Sequence, residues 1–199
     1  MTARTSIAAT SILLAGALLA PLAATAAPPR TATPKALSLT LTDVRHVYGS
    51  SFRPFMVNAY KPSHKGTCGA DYTGGYLTMF GNFKKAGSGG AVVSVESTVF
   101  AYPSSSSTAC ASKYHGMALA KVMGKSGAKV HGSALGGVGD SAYVFTINVV
   151  RAHGYSVMVW FSRGTHIAMV TISAVGSAPA QSGAVALAKV IDGRIQVAG

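Results

Sequence analysis

The sequence predicts an α+β fold: an antiparallel sheet of about five strands with helices packed on it, in the order α-β-β-α-β-β-β-α. Three observations carry this. Two runs rich in β-branched and aromatic residues, YSVMVWFS and THIAMVTIS, flank Arg163-Gly164, which reads as a two-residue hairpin turn. Ahead of them the glycines of Leu135-Gly136-Gly137-Val138-Gly139-Asp140 open a run in which Tyr143, Phe145, Ile147 and Val149 alternate onto one face. Apolar stripes at helical spacing then precede, separate and follow the strand runs.

Taken in order, residues 1–26 have the layout of a secretory signal peptide: Arg4, an apolar run around Ile12 to Leu22, and Ala24-Thr25-Ala26 as a cleavage site. Cleavage would leave 173 of the 199 residues, one domain's worth of chain without a membrane span, secreted to the extracellular space. Residues 27–37, with Pro28, Pro29 and Pro34, read as a flexible linker, and 38–199 as a single α+β domain. Thr40 and Asp43 form a capping box for a short helix that ends at Gly49. From Ser50 to Thr73 the pattern is irregular.

Gly75 to Phe83 and Ala91 to Tyr102 then make a hairpin, the second run setting Val93, Val95, Val99 and Ala101 on one face. Ser104 to Ser107 caps a helix from about Thr108 to Met123, after which Lys125 to Ser133 is read as a connection. A last helix, capped by Ser177, buries Ala184, Leu187, Ala188, Ile191 and Ile195, with Gly183 and Gly193 weakening it.

With Arg163 and Gly164 as turn residues, Ser162 faces Thr165, and Tyr155, Val157, Val159 and Phe161 form a core face. The other face groups Met158, Trp160, Ile167 and Met169, and two readings stand: a helix or loop covers it, or it is an exposed binding patch.

Charge narrows the function classes. The formal charge of +12 falls to +11 on loss of Arg4, against five carboxylates: Asp43, Asp71, Glu96, Asp140 and Asp192. So few acids leave little scope for acid–base catalysis. A basic surface attracts polyanions, so Lys61, Lys65, Lys84, Lys85, Lys125 and Lys129 are candidate contacts for an anionic cell-envelope polymer. Their scatter through loops, the lack of a groove-reading motif and the expected export argue against nucleic acid.

Two cysteines in an exported chain are expected to form a disulfide, Cys68 to Cys110, closing a loop of about 40 residues and worth about 3–4 kcal/mol. The competing reading, a zinc site from those cysteines with His64 and His115, has loose spacing. No other metal site and no cofactor is indicated. No Gly-x-Ser-x-Gly elbow occurs, and the glycine-rich loop leads into a strand and so is no phosphate cradle. A hydrolase would need His153 or His166 to converge with Asp140, which is better read as a turn residue bonding its own backbone.

The motif Leu135 to Tyr143, with Gly-Asp-x-Ala-Tyr entering a strand, resembles a group of exported actinobacterial proteins over residues 38 to 197. These are small cell-envelope lipoproteins and the extracellular, sensor-like domains of receptor serine/threonine kinases. The resemblance implies a non-enzymatic, secreted ligand-binding or sensor-like domain, its partner a small molecule or protein that the sequence does not identify. This chain departs from the group in having no kinase domain, membrane anchor or lipoprotein cysteine.

Overall fold

A computed structural model of the chain describes residues 32–62, 72–82, 91–113, 128–149 and 153–199. The helices are α1 (Pro34–Leu37), α2 (Leu41–Tyr48), α3 (described over 105–113) and α4 (Gln181–Ala198). The strands are β1 (Arg53–Tyr60), β2 (Gly74–Gly81), β3 (Val92–Ala101), β4 (Lys129–Ala134), β5 (Ser141–Val149), β6 (Gly154–Arg163) and β7 (His166–Val175). They form one antiparallel sheet in the order β1-β2-β3-β7-β6-β5-β4. Two meanders, β1–β3 and β4–β7, are thus joined through the β3–β7 pair. Among the described residues no helix is long and apolar enough to cross a membrane.

The sheet has seven strands where about five were expected, and both additions are edges. Residues 53–60 are exposed or half-buried throughout, with a bulge at Pro54/Met56, and β4 carries Gly132 and is nearly all exposed. Neither edge buries one face, so neither shows the alternation by which the inner strands were recognised.

Between β6 and β7 the turn residues are Gly164 and Thr165, so Arg163 pairs with His166 and Trp160 with Met169. The expected register is therefore displaced by one turn position. Parity is kept, so the faces are as read from the sequence: Val157, Val159, Phe161, Ala168, Val170 and Ile172 lie in the main core beneath α1, α2 and α4. Positive φ occurs at Gly164 and not at Thr165, the pattern of a II′ turn with glycine first.

The helices hold the sheet through their apolar stripes and a few polar ties. Thr40 and Asp43 do form a capping box on α2, and Arg194 of α4 donates to both Asp43 carboxylate oxygens and to Ser38 O. The expected linker is ordered at its end: Thr33 caps α1, Pro34 opens it, and Leu37 is fully buried. α4 buries the expected stripe but begins at Gln181 without a side-chain cap, so Ser177 does not cap it. α3 starts earlier than expected, at residue 105, with Ser104 Oγ accepting from Ser107 N. The expected signal peptide, Cys68, Lys65, Lys84, Lys85, Lys125, His64 and His115 lie outside the described residues.

Two glycines of α4 should respond oppositely to the same substitution. A Cβ at Gly183 would overlap the Tyr48 ring and hydroxyl of α2, whereas one at exposed Gly193 meets nothing. Gly193→Ala is expected to stabilise by about 0.5–1 kcal/mol through helix propensity and reduced unfolded-state entropy. In Gly183→Ala that gain is outweighed by overpacking of about 1–3 kcal/mol. Urea denaturation of both variants checks the signs; equal stabilisation would show that Tyr48 moves aside freely.

Candidate functional site

The end of the sheet where β5 begins and β6 ends gathers the described polar groups with the most defined geometry. The glycine-rich loop that enters β5 is built for close approach. Gly137 and Gly139 hold positive φ, and Val138 between them is buried. A Cβ on Gly139 would stand 2.5 Å from Ser162 O of β6. That contact lets Asp140 N donate to the same carbonyl at 2.7 Å.

Asp140 therefore sits against the β6–β7 turn. Its Oδ2 accepts from Gly164 N at 2.8 Å, and its Oδ1 lies 3.4 Å from Arg163 Nη1. It holds the neighbouring turn's backbone, not its own as expected. Arg163 lies on the α4 side, where Nε donates to Asp192 Oδ1 and Nη2 to Oδ2 at 3.0 Å. Gln196 Nε2 also donates to Asp192, as does the Gly139 backbone. Asp192 is only 4% exposed. Burial alone would raise its pKa, but the hydrogen bonds from Arg163 and Gly139, with the guanidinium charge, hold it below the usual carboxylate range.

On the other side of the sheet this framework walls a cleft of about 680 Å³ between the start of α3, the first residues of β5 and the end of β6. Ser105 and Ser106 form one rim, Ser141 and Tyr143 the other, with Asp140 and Lys113 also in the lining. Asp140 remains 61% exposed at the side chain, and Tyr143 is 42% exposed. The floor is polar: Ser112 and Ser162 are buried, and Ser112 Oγ accepts from Trp160 Nε1 at 3.3 Å.

Of the two readings of the hairpin's second face, the covered one holds. Met158, Trp160 and Ile167 are buried and Met169 half-buried, in a second core with Ala111, Tyr102 and Phe145, so this face is no open binding patch. Trp160 is 7% exposed. α3 covers it because Ala111 is small enough to lie on the sheet while Ser112 meets the indole N–H.

The other candidates are dispersed. Lys61 follows β1 at this end of the sheet, and Lys129 opens β4 at the opposite edge and end, so the two described members of the lysine set share no patch. His153 lies at the far end of β6, about 30 Å from Asp140 by strand rise, and does not converge with it. His166 is buried beside Thr165 Oγ1 and the Ala32 backbone; burial lowers its pKa and keeps the ring neutral. Among the described residues no cysteine is free and no cluster of ligating side chains could hold a metal ion. Cys110 lies on α3.

Sequence reasoning singled out Asp140 only as a turn residue bonding its own backbone, and missed the rest. Asp192 left a trace, as a carboxylate on the buried stripe of α4, four residues after Ala188. The serines of α3 and the Tyr143 ring gave none, since the cleft joins segments far apart in the chain.

No protein-family model and no characterised protein matches the sequence. Among solved structures, the extracellular domain of PknH from Mycobacterium tuberculosis is similar in fold, with a TM-score of 0.55 at 12% identity. The match covers 85% of this chain and 99% of that one. It agrees with the expected resemblance to extracellular kinase domains; the lipoprotein half of that resemblance is not shown.

The depressed pKa of Asp192 fixes a sign for acid stability. A carboxylate that ionises more readily when folded adds stability above its unfolded pKa, lost as pH falls through the folded value. Asp192→Asn is expected to cost about 1–3 kcal/mol at neutral pH, by removing the buried carboxylate that Arg163 meets at the α4 interface and leaving it only the long contact with Asp140. As pH falls below the usual carboxylate range and through the lowered folded value, the gap to the parent should close. Denaturation across a pH series measures this, and a gap independent of pH would assign the loss to packing.

Proposed function

We propose that the protein is a secreted, non-enzymatic ligand-binding domain of the sensor-like kind, and that the cleft between α3, β5 and β6 is its binding site. The observation that carries this reading is the pairing of exposed groups with a rigid support. Asp140 and Tyr143 face solvent, yet the loop that bears Asp140 is fixed by Gly139, Arg163 and Gly164, and Tyr143 stands on β5, paired with Trp160 of β6. Preorganised polar groups in a concave site are what ligand recognition needs. The fold shared with an extracellular domain, the signal-peptide layout and the expected Cys68–Cys110 disulfide support export.

The alternative, a basic envelope-associated protein that holds anionic polymer through Lys61, Lys65, Lys84, Lys85, Lys125 and Lys129, is favoured by the charge of +12. Thermal-shift screening of the mature protein separates the two, using small metabolites, oligosaccharides, teichoic acid and polyphosphate. A cleft ligand at a hundredfold excess over its Kd adds about 2.7 kcal/mol, and so raises Tm by about 5–10 °C. Tyr143→Ala should abolish that rise. A rise caused only by the polymers, unchanged in Tyr143→Ala and lost in high salt, would give the polymer reading first place. The same preparation should show no thiol reactive without reductant; two reactive thiols would remove the disulfide.

A further inference from the structure

The lining of the cleft says what chemistry it takes. Its charged side chains are one lysine and one aspartate, Lys113 and Asp140, which cancel. In a chain of net charge +12, the site is electrostatically neutral. Five serines and a threonine line it: Ser105, Ser106 and Ser141 are exposed, while the buried Thr108 and Ser112 hydroxyls are engaged with Ser104 O and Trp160 Nε1. Each exposed hydroxyl can donate and accept, the match for a ligand whose own groups do both.

Asp140 sharpens this. One of its oxygens is engaged with Gly164 N at 2.8 Å, and the 3.4 Å approach of Arg163 Nη1 leaves the other weakly engaged. An ionised carboxylate has about four acceptor positions, so a fixed and exposed one offers the remainder to donors alone. It repels phosphate, sulfate and carboxylate groups and welcomes O–H or N–H. Beside it Tyr143 presents a half-exposed ring, braced by Phe145 at 6.3 Å between centroids. An aromatic face next to hydroxyls and a carboxylate suits a ligand with an apolar C–H face and a rim of hydroxyls.

Resting on the reading of this cleft as the binding site, we propose that it binds a neutral oligosaccharide, stacked on Tyr143 and held by Asp140 and the serine rim. The cleft volume of about 680 Å³ is within the usual range for small-ligand sites, roughly 300–1,000 Å³. Neutral glycan is favoured over an anionic polymer because the two charges of the lining cancel, leaving no excess of positive charge to hold a polyanion.

The sequence supplies its own reporter. Trp160 is the only tryptophan, and its N–H is bonded to Ser112 in the cleft floor. Tryptophan emission of the mature, oxidised protein would be followed while short, uncharged oligomers of mannan, galactan, arabinan, xylan and chitin are added. At least one is expected to saturate the change, with an affinity insensitive to salt. Tyr143→Ala should weaken it about tenfold, and Tyr143→Phe, which keeps the ring, by less than about threefold. Tyr143 is exposed enough that neither variant threatens the fold.

If no oligomer binds, or binding survives Tyr143→Ala unchanged, the saccharide proposal falls. If instead a non-saccharide ligand shifts the emission and loses affinity in Tyr143→Ala, the saccharide identity falls while the cleft stands as the site. Binding only of teichoic acid or polyphosphate, abolished by salt, overturns both.

Discussion

The ion pair between Arg163 and Asp192 is the contact on which this end of the molecule depends. It joins the last residue of β6 to α4, and through Gly139 and Asp140 it draws in the loop that starts β5. It also accounts for the hairpin register. As a turn residue Arg163 would leave the α4 face of the strand; kept in β6 and paired with His166, it follows Phe161 on that face and reaches Asp192. The turn then falls on Gly164 and Thr165, so the glycine takes the positive φ and frees its N–H for Asp140. A buried carboxylate is costly to desolvate, and here geometry offsets the cost: two guanidinium bonds, a backbone N–H and Gln196 surround it. It specifies one arrangement of loop, turn and helix.

From that fixed corner the two sides of the sheet diverge. The α4 side is a continuous aliphatic core in which strand and helix residues are almost wholly excluded from water. The opposite side carries a smaller core around Met158, Trp160 and Ile167 beneath α3. The Trp160 indole is admitted there with a partner built in, Ser112. α3 begins close to the sheet end, and its leading serines bond to one another around Ser104. The cleft is the gap between that capped helix start and the loop held by Asp140, so rigid elements shape both walls.

The legibility of the fold followed burial. β3, β5, β6 and β7 were visible because each hides a face, and α2 and α4 because their stripes and the Thr40–Asp43 box are local patterns. β1 and β4 were invisible because they are edges, with a proline and a bulge in one and a mid-strand glycine in the other. The Trp160 face was ambiguous, since apolar residues on both sides of a strand show that it is covered or sticky without saying which. Of the site, only Asp140 was singled out, as a turn residue bonding its own backbone. Its partners Arg163 and Gly164 lie 23 and 24 residues later, and Asp192, which meets Arg163, lies further on in α4, beyond any local pattern.

The distribution of charge ties these points together. Of the five carboxylates, Asp43, Asp140 and Asp192 are engaged at tie points with Arg194, Arg163 and Gly164. These three acids are tied to cations or backbone, the excess of basic residues leaves the chain net cationic, and among the described residues Lys61 and Lys129 lie far apart. Such a diffuse field keeps like molecules apart and draws polyanions loosely. At the cleft Lys113 and Asp140 balance each other, so on the proposed reading the site offers a polyanion no excess of positive charge. Asp140, which locks the β6–β7 turn, thereby also shapes the electrostatics of the cleft wall.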